Sequence, residues 1–188
     1  MSKYNLIFVL GGPACGKGTQ CSLLAKAFNN IIHVSTGDLV RAKKDLDPEF
    51  GKQMGAGGLL PTSFIGNLIV SHIQSNFDTT KTILLDGFPR NQANYDFYIQ
   101  EMTKSFNLVA VLYIECSDET MCQRAVNRGK STGRTDDELA TCLNRIKIFH
   151  AETETIINLF DNKLIKRVTS DDDKNNTFNE IVKVLNLA

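Results

Sequence analysis

The apolar residues of this chain fall into short continuous runs separated by polar stretches with helical spacing. Residues 4–10 (YNLIFVL) form such a run and end at Gly11-Gly12. A run apolar on both faces predicts a strand buried in the middle of a parallel sheet. Similar runs at 31–34, 83–86, 108–114 and 164–168 predict four more strands. The spacing of residues 19–28 predicts a helix with Leu23, Leu24 and Ala27 on one face. Residues 36–75 read as mostly helical, interrupted by Pro48, by glycines between 55 and 58, and by Pro61. A helix over 118–127, a polar loop over 129–133 and a long helix over 136–160 follow. The long helix counts Leu139, Leu143, Ile146 and Ile157 among its apolar positions. A polar loop over 170–176 leads to a last helix over 177–187. Strands alternating with helices predict an α/β fold, a five-stranded parallel sheet covered on both faces. No repeat, low-complexity segment or linker interrupts it.

Composition narrows the function. The chain has 188 residues, a length that suits one compact domain. Lys+Arg and Asp+Glu both number 21, and that balance argues against a nucleic acid or a membrane surface as partner. The seven arginines are Arg41, Arg90, Arg124, Arg128, Arg134, Arg145 and Arg167. All but Arg124 and Arg167 fall in the motifs below, and arginine is the side chain that grips phosphate bidentately. The five cysteines form no CxxC pair, which fits reduced thiols better than a disulfide frame or zinc site. With no signal peptide and no run long enough to span a bilayer, the expectation is a soluble cytoplasmic protein.

The segment Gly11-Gly12-Pro13-Ala14-Cys15-Gly16-Lys17-Gly18-Thr19 lies between a predicted strand and a predicted helix. That context makes it a phosphate-binding loop of the P-loop NTPase type. Glycines let successive N–H groups converge on oxyanions, the helix N-terminus adds its dipole, and Lys17 reaches the outer phosphates. The usual ending is GK[ST]. Here Gly18 follows Lys17 and the hydroxyl comes one residue later, at Thr19. Ala14 is acceptable only where its backbone avoids positive φ. Cys15, beside Lys17 and a helix N-terminus, occupies a setting that lowers a thiol pKa; the plainer expectation is a serine replacement without consequence.

The ending Gly-Lys-Gly-Thr-Gln resembles the nucleoside monophosphate kinases, the family of adenylate kinase and UMP/CMP kinase. Further segments resemble it in order along the whole chain. Ser35-Thr36-Gly37-Asp38-Leu39-Val40-Arg41 resembles the entry to the acceptor site, where Ser35 or Thr36 can cap a helix and Arg41 could hold the acceptor phosphate. Gly58-Leu59-Leu60-Pro61 resembles the turn that lines the acceptor nucleoside. In Asp86-Gly87-Phe88-Pro89-Arg90, the resemblance implies Mg²⁺ held by Asp86 through water, acceptor phosphate on Arg90 and a cis Phe88–Pro89 bond. The run from Arg128 to Asp137, with Arg134 in it and Arg145 beyond, resembles a short lid. Arg128, Arg134 and Arg145 would close on the phosphates, while Asp136 and Asp137 would cap the following helix and orient arginines. The resemblance implies one kinase domain, a monomer, with an acceptor-binding segment at 35–64, a lid at 128–137, and ATP–Mg²⁺ and a nucleoside monophosphate as ligands. Closure of both segments would exclude water, the rival acceptor. ATP would bind through Ala14 to Thr19 and Arg128. The monophosphate would meet Thr36, Arg41, Gly58 to Leu60, Gly87 to Arg90, Asn94, Arg134 and Arg145.

One lysine, five arginines and a divalent cation suit phosphoryl transfer, which depends on positioning and electrostatics. An ionised acceptor phosphate needs no general base, so His33, His72 and His150 read as structural or surface residues. Two clues to the acceptor base conflict. Gly87 to Gln92, Asn94 and Ile114-Glu115-Cys116 resemble UMP/CMP kinases, whereas Thr36 resembles adenylate kinases. The shorter amide of Asn94 suits a pyrimidine edge, so UMP or CMP is the expected acceptor and AMP the alternative. A non-catalytic P-loop module could have lost Arg90, Arg134 or Arg145, and all three are present. A GTPase would need Asn-Lys-x-Asp, and the nearest string, Asn162 to Ile165, lacks the aspartate.

Overall fold

The computed structural model describes residues 2–43, 60–132, 137–171 and 173–187. Five parallel strands form one sheet in the order β2-β3-β1-β4-β5. They are β1 (Tyr4–Leu10), β2 (Ile31–Ser35), β3 (Thr82–Asp86), β4 (Phe106–Glu115) and β5 (Ile165–Thr169). The helices are α1 (Lys17–Ala27), α2 (Thr36–Arg41), α3 (Thr62–Asn76), α4 (Gln92–Gln100), α5 (Asp118–Thr132), α6 (Leu139–Ile148) and α7 (Lys174–Val184).

The central strand explains its own apolar run. On β1, Leu6, Phe8 and Leu10 pack into one core while Ile7 and Val9 pack into the other, on the opposite face of the sheet. Period-2 alternation therefore buries every residue from Leu6 to Leu10. The first core holds an aromatic cluster in which Phe8 meets Tyr98 edge-on at 5.0 Å and Phe160 at 5.8 Å. Helix α3 adds Ile65, Ile69 and Ile73 to it. The second core takes Cys21 and Leu24 from α1, Met121 and Ala125 from α5, and Ile181 from α7.

The sheet order reverses beside β1, because β2 and β3 lie on one side of it and β4 and β5 on the other. In open α/β sheets the carboxyl-end loops at such a point form a crevice. The loop after β1, the start of α2 after β2, and the segment after Asp86 all open there.

Several elements depart from the expected pattern. Helix α4 was not expected, and only its N-cap announces it: the Asn94 N–H donates to Asn91 Oδ1 at 2.9 Å. Helix α5 runs on to Thr132, through most of the expected 129–133 loop. There Ser131 and Thr132 hydroxyls donate to the Arg128 carbonyl at 3.0 and 2.8 Å, so side chains satisfy a backbone acceptor in the last turn. The long helix expected over 136–160 is broken: α6 ends at Ile148, a π-turn covers Phe149–Thr153, and one α-turn and one 3₁₀ turn complete the segment. Ile146 and Ile157 are buried as expected, but Leu139 and Leu143 are exposed. On α1 the buried face is Gln20, Cys21 and Leu24, while Ala27 is exposed. Helix α7 starts at Lys174, inside the expected loop, because Asp173 caps it by accepting from the Asn175 N–H at 2.7 Å.

Candidate functional site

The loop between β1 and α1 is shaped by its backbone. Gly11 has φ 148, and a Cβ there would lie 2.4 Å from the Ile114 carbonyl oxygen, so the loop leaves the sheet pressed against β4. Gly16 has φ 102 at the N-cap of α1, with open space where a side chain would stand. Ala14 has φ 55. The expectation that its backbone avoids positive φ is therefore corrected: the tight turn into Gly16 holds an alanine in the left-handed region, at a cost of about 1–2 kcal/mol. The Lys17 ammonium lies over the loop and donates to the carbonyls of Gly11 and Gly12 at 2.8 and 2.6 Å. Cys15 is fully buried, 3.6 Å from that ammonium, and its carbonyl accepts from the buried Ser170 hydroxyl at 2.7 Å. Burial favours the plain serine-replacement reading of Cys15 over a reactive thiol. All five cysteines are free, and burial pushes the Cys116 and Cys142 thiols up to about 11.

A cleft of about 650 Å³ opens over this loop. Its walls include Lys17, Thr19, Asp38, Asp86 and five arginines, Arg41, Arg90, Arg124, Arg128 and Arg145. Four of these arginines come from the motifs singled out in the sequence. Arg124, on α5, is an addition that no motif marks, although it lies one helical turn before Arg128 and so on the same face. Gly58, Leu59, Arg134 and Asp136 lie outside the described residues. Leu60 is buried.

Each arginine is held. Arg41 pairs with Asp38 one turn earlier on α2, and the Ser35 hydroxyl caps that helix by accepting from the Asp38 N–H at 3.2 Å. Asp137, whose side chain is wholly buried, accepts from Arg128 Nε and Nη2 at 2.6 and 2.7 Å and from Arg145 Nη1 at 3.4 Å. It thus orients two arginines, as expected of it, but it does not cap the following helix, whose N-cap is Glu138. Arg90 Nε donates to the Gly87 carbonyl at 2.7 Å, and the Phe88–Pro89 bond beside it is cis, as the resemblance implied.

Asp86 ends β3 inside the cleft with its side chain mostly buried, and a Cβ on Gly18 would stand 3.5 Å from its Oδ2. Its carboxylate therefore faces the end of the loop that carries Thr19. Among the described residues no group of three or more His, Cys, Asp or Glu could hold a metal ion. A hard-oxygen site with one carboxylate and a nearby hydroxyl fits Mg²⁺, which keeps waters and shares phosphate oxygens. His33 was expected to stand apart from the chemistry. Instead it lines the cleft, with Nε2 3.5 Å from Asp86 Oδ2 and Nδ1 3.4 Å from Ser22 Oγ. The parallel register that places Ser35 beside Asp86 carries His33 next to Leu84, a sheet contact that sequence spacing does not show.

The two residues that bear on the base stand differently. Thr36 is buried, and its hydroxyl has no hydrogen-bond partner among the described residues. Asn94 is 4% exposed and both ends of its amide are engaged within the protein.

Comparison with known proteins agrees with this geometry. The family model described as adenylate kinase matches residues 9–165. The chain is 32% identical to UMP-CMP kinase of Danio rerio over 97% of both chains. It is 30% identical to adenylate kinase isoenzyme 1 of Bos taurus, over 96% of this chain and 94% of the relative. It is also 32% identical to adenylate kinase isoenzyme 1 of Cyprinus carpio, again over 96% and 94%. Similarity to the two kinds of kinase is equal, so overall identity does not choose the acceptor base.

Proposed function

The chain belongs to the adenylate kinase family of nucleoside monophosphate kinases, and from that premise we propose that it transfers the γ-phosphate of ATP to UMP or CMP. The observation that carries the reading is one cleft that gathers Lys17, Asp86 and four arginines from three separate motifs. Two multiply charged phosphates brought together need such a concentration of positive charge.

In this reading the N–H groups from Ala14 to Thr19 and the Lys17 ammonium hold the β- and γ-phosphates of ATP. Arg41 and Arg90 hold the acceptor phosphate, and Arg128, Arg134 and Arg145 bear on the transferred group. An ionised oxygen of the acceptor phosphate attacks the γ-phosphorus. The bond from that phosphorus to the bridging oxygen breaks, and its electron pair leaves with ADP. Negative charge moves toward the β-phosphate, where Lys17 and the α1 N-terminus can accept it. Asp86, through water, and Thr19 would hold Mg²⁺, which would supply electrostatic neutralisation of the phosphates. No proton has to be removed from the nucleophile, so His33 has no base to be. Gly87, Phe88 and Pro89 set the backbone that aims Arg90.

UMP and CMP are favoured by the resemblance that the run Gly87 to Gln92, Asn94 and Ile114 to Cys116 bear to UMP/CMP kinases. One observation favours AMP: the orphaned, buried hydroxyl of Thr36, the residue that resembles adenylate kinases. The test offers AMP, CMP, UMP and GMP separately with ATP–Mg²⁺ and compares kcat/KM. Preference for CMP or UMP is expected, and a clear preference for AMP overturns the pyrimidine assignment.

A further inference from the structure

A loop that cradles anions has to turn its N–H groups toward them and its carbonyls away. The carbonyls of the loop before α1 are held from several directions. Lys17 Nζ donates to those of Gly11 and Gly12, and the Gln20 N–H donates to that of Gly16 at 3.0 Å. The Cys15 carbonyl is held from another element, by the Ser170 hydroxyl at 2.7 Å. A carbonyl can only accept, so that hydroxyl commits its one hydrogen there. Ser170 directly follows β5 and is buried. It stands on fixed ground. Its own N–H donates to the Glu115 carbonyl at 2.8 Å, and the carboxylate of Asp171 beside it accepts from the Ser117 N–H at 3.0 Å. A little further on, the Lys174 carbonyl accepts from Gln20 Nε2 at 2.9 Å, which ties α1 to the first residue of α7.

The Cys15 carbonyl and the Gly16 N–H share one planar trans peptide and point in opposite directions. Fixing the carbonyl on Ser170 therefore fixes the direction of the Gly16 N–H. Gly16 itself does not fix it. Its φ is 102, and among the described residues no heavy atom beyond its chain neighbours lies within 4 Å of where a Cβ would stand. Glycine adopts positive and negative φ with about equal ease, so the peptide can turn over at little cost. Turned over, it would present a carbonyl oxygen to the phosphates in place of an N–H. From this geometry we infer that Ser170 is a positioning residue for the donor phosphates: its hydroxyl holds the Cys15–Gly16 peptide with the carbonyl turned back toward β5 and the N–H left for the polyphosphate. The inference rests on the proposed binding of ATP by Ala14 to Thr19. Its effect falls on the phosphates, whatever nucleoside they carry.

The experiment compares Ser170→Ala, which removes the donor, with Ser170→Cys, which is close in size and donates weakly. Binding of ATP and of inorganic tripolyphosphate, a ligand without a nucleoside, is measured by calorimetry with Mg²⁺ present. The Gly16 amide of the free protein is followed by NMR relaxation dispersion, and KM is measured for each monophosphate. In Ser170→Ala the Kd of both polyphosphates should rise by about the same factor, roughly 3- to 10-fold for one hydrogen bond. The Gly16 amide should show exchange on the microsecond-to-millisecond timescale beyond that of wild type. Ser170→Cys should lie between alanine and wild type, and the KM of the monophosphates should not change. An unaltered Kd for tripolyphosphate, a loss of affinity confined to ATP, a wild type that does not bind tripolyphosphate, or an equal rise in the KM of the monophosphates would overturn the role of Ser170. A wild-type protein that phosphorylates no monophosphate overturns the proposed function alone, and the two Kd values still decide the role of Ser170.

Discussion

Replacing Asp137 by alanine removes a buried carboxylate that two cleft arginines share. Asp137 is wholly buried, and it accepts two short bonds from Arg128 and a longer one from Arg145. Deleting one partner of a buried pair costs about 3–5 kcal/mol. That figure needs discounting here, because the side chains of Arg128 and Arg145 are 34% and 20% exposed and can recover water. A loss of roughly 2–3 kcal/mol remains, and at about 2–4 °C per kcal/mol for a domain of this size Tm should fall by roughly 4–12 °C. Asparagine keeps the shape but offers one acceptor where Arg128 presents two donors, so Asp137→Asn should lie between alanine and wild type. Kinetics should suffer more than stability. Two guanidinium groups released from their aim should lower kcat by about 10- to 100-fold, the range set by loss of transition-state positioning. Thermal unfolding and a coupled assay for ADP measure both. A variant with Tm within about 1 °C of wild type and unaltered kcat would refute the claim that Asp137 sets the geometry of Arg128 and Arg145.

Two further expectations test separate parts of the structure. Gly11→Ala should destabilise by about 2–4 kcal/mol, because the new Cβ meets the Ile114 carbonyl at 2.4 Å and the backbone sits at φ 148; thermal unfolding close to wild type would show that β1 and β4 separate freely there. His150 lies 2.8 Å from Glu154 and 2.9 Å from Asp118, and these hydrogen bonds, Glu154 first, raise its pKa above 6.5. The folded value is the higher one, so its stabilising effect is complete below about pH 6.5 and disappears as pH rises through the folded pKa. An NMR titration should place the midpoint above 6.5 and move it down in Glu154→Gln, and a midpoint at or below 6.5 contradicts the arrangement.

The parts legible in the sequence were those where chemistry and packing coincide. Tyr4 to Leu10 reads as a buried strand because both faces of β1 are covered, and the loop that follows can be read because glycines and Lys17 stand at fixed offsets. Asp86 was visible for the same reason, as a carboxylate ending an apolar run. Helix α4 was hidden because its few buried residues, Asn94 and Tyr98, make almost no apolar stripe. The π-turn at Phe149–Thr153 shifts the helical phase, which leaves Leu139 and Leu143 exposed while Ile157 stays in the core. His33 reaches Asp86 only through the register of two parallel strands, and Arg124 enters the cleft only through the orientation of α5. Asn94 shows the reverse case. The sequence motif marks its position, but its two hydrogen bonds, to Arg90 and Thr62 across the fold, could not be read from spacing.

The most direct test of the account follows the γ-phosphate itself. Protein is incubated with γ-labelled ATP and Mg²⁺, first alone and then with CMP, UMP or AMP. Label should stay on ATP until a monophosphate is added and then appear on the corresponding nucleoside diphosphate, with ADP formed in equal amount. Release of label as inorganic phosphate at the same rate with and without a monophosphate would contradict it.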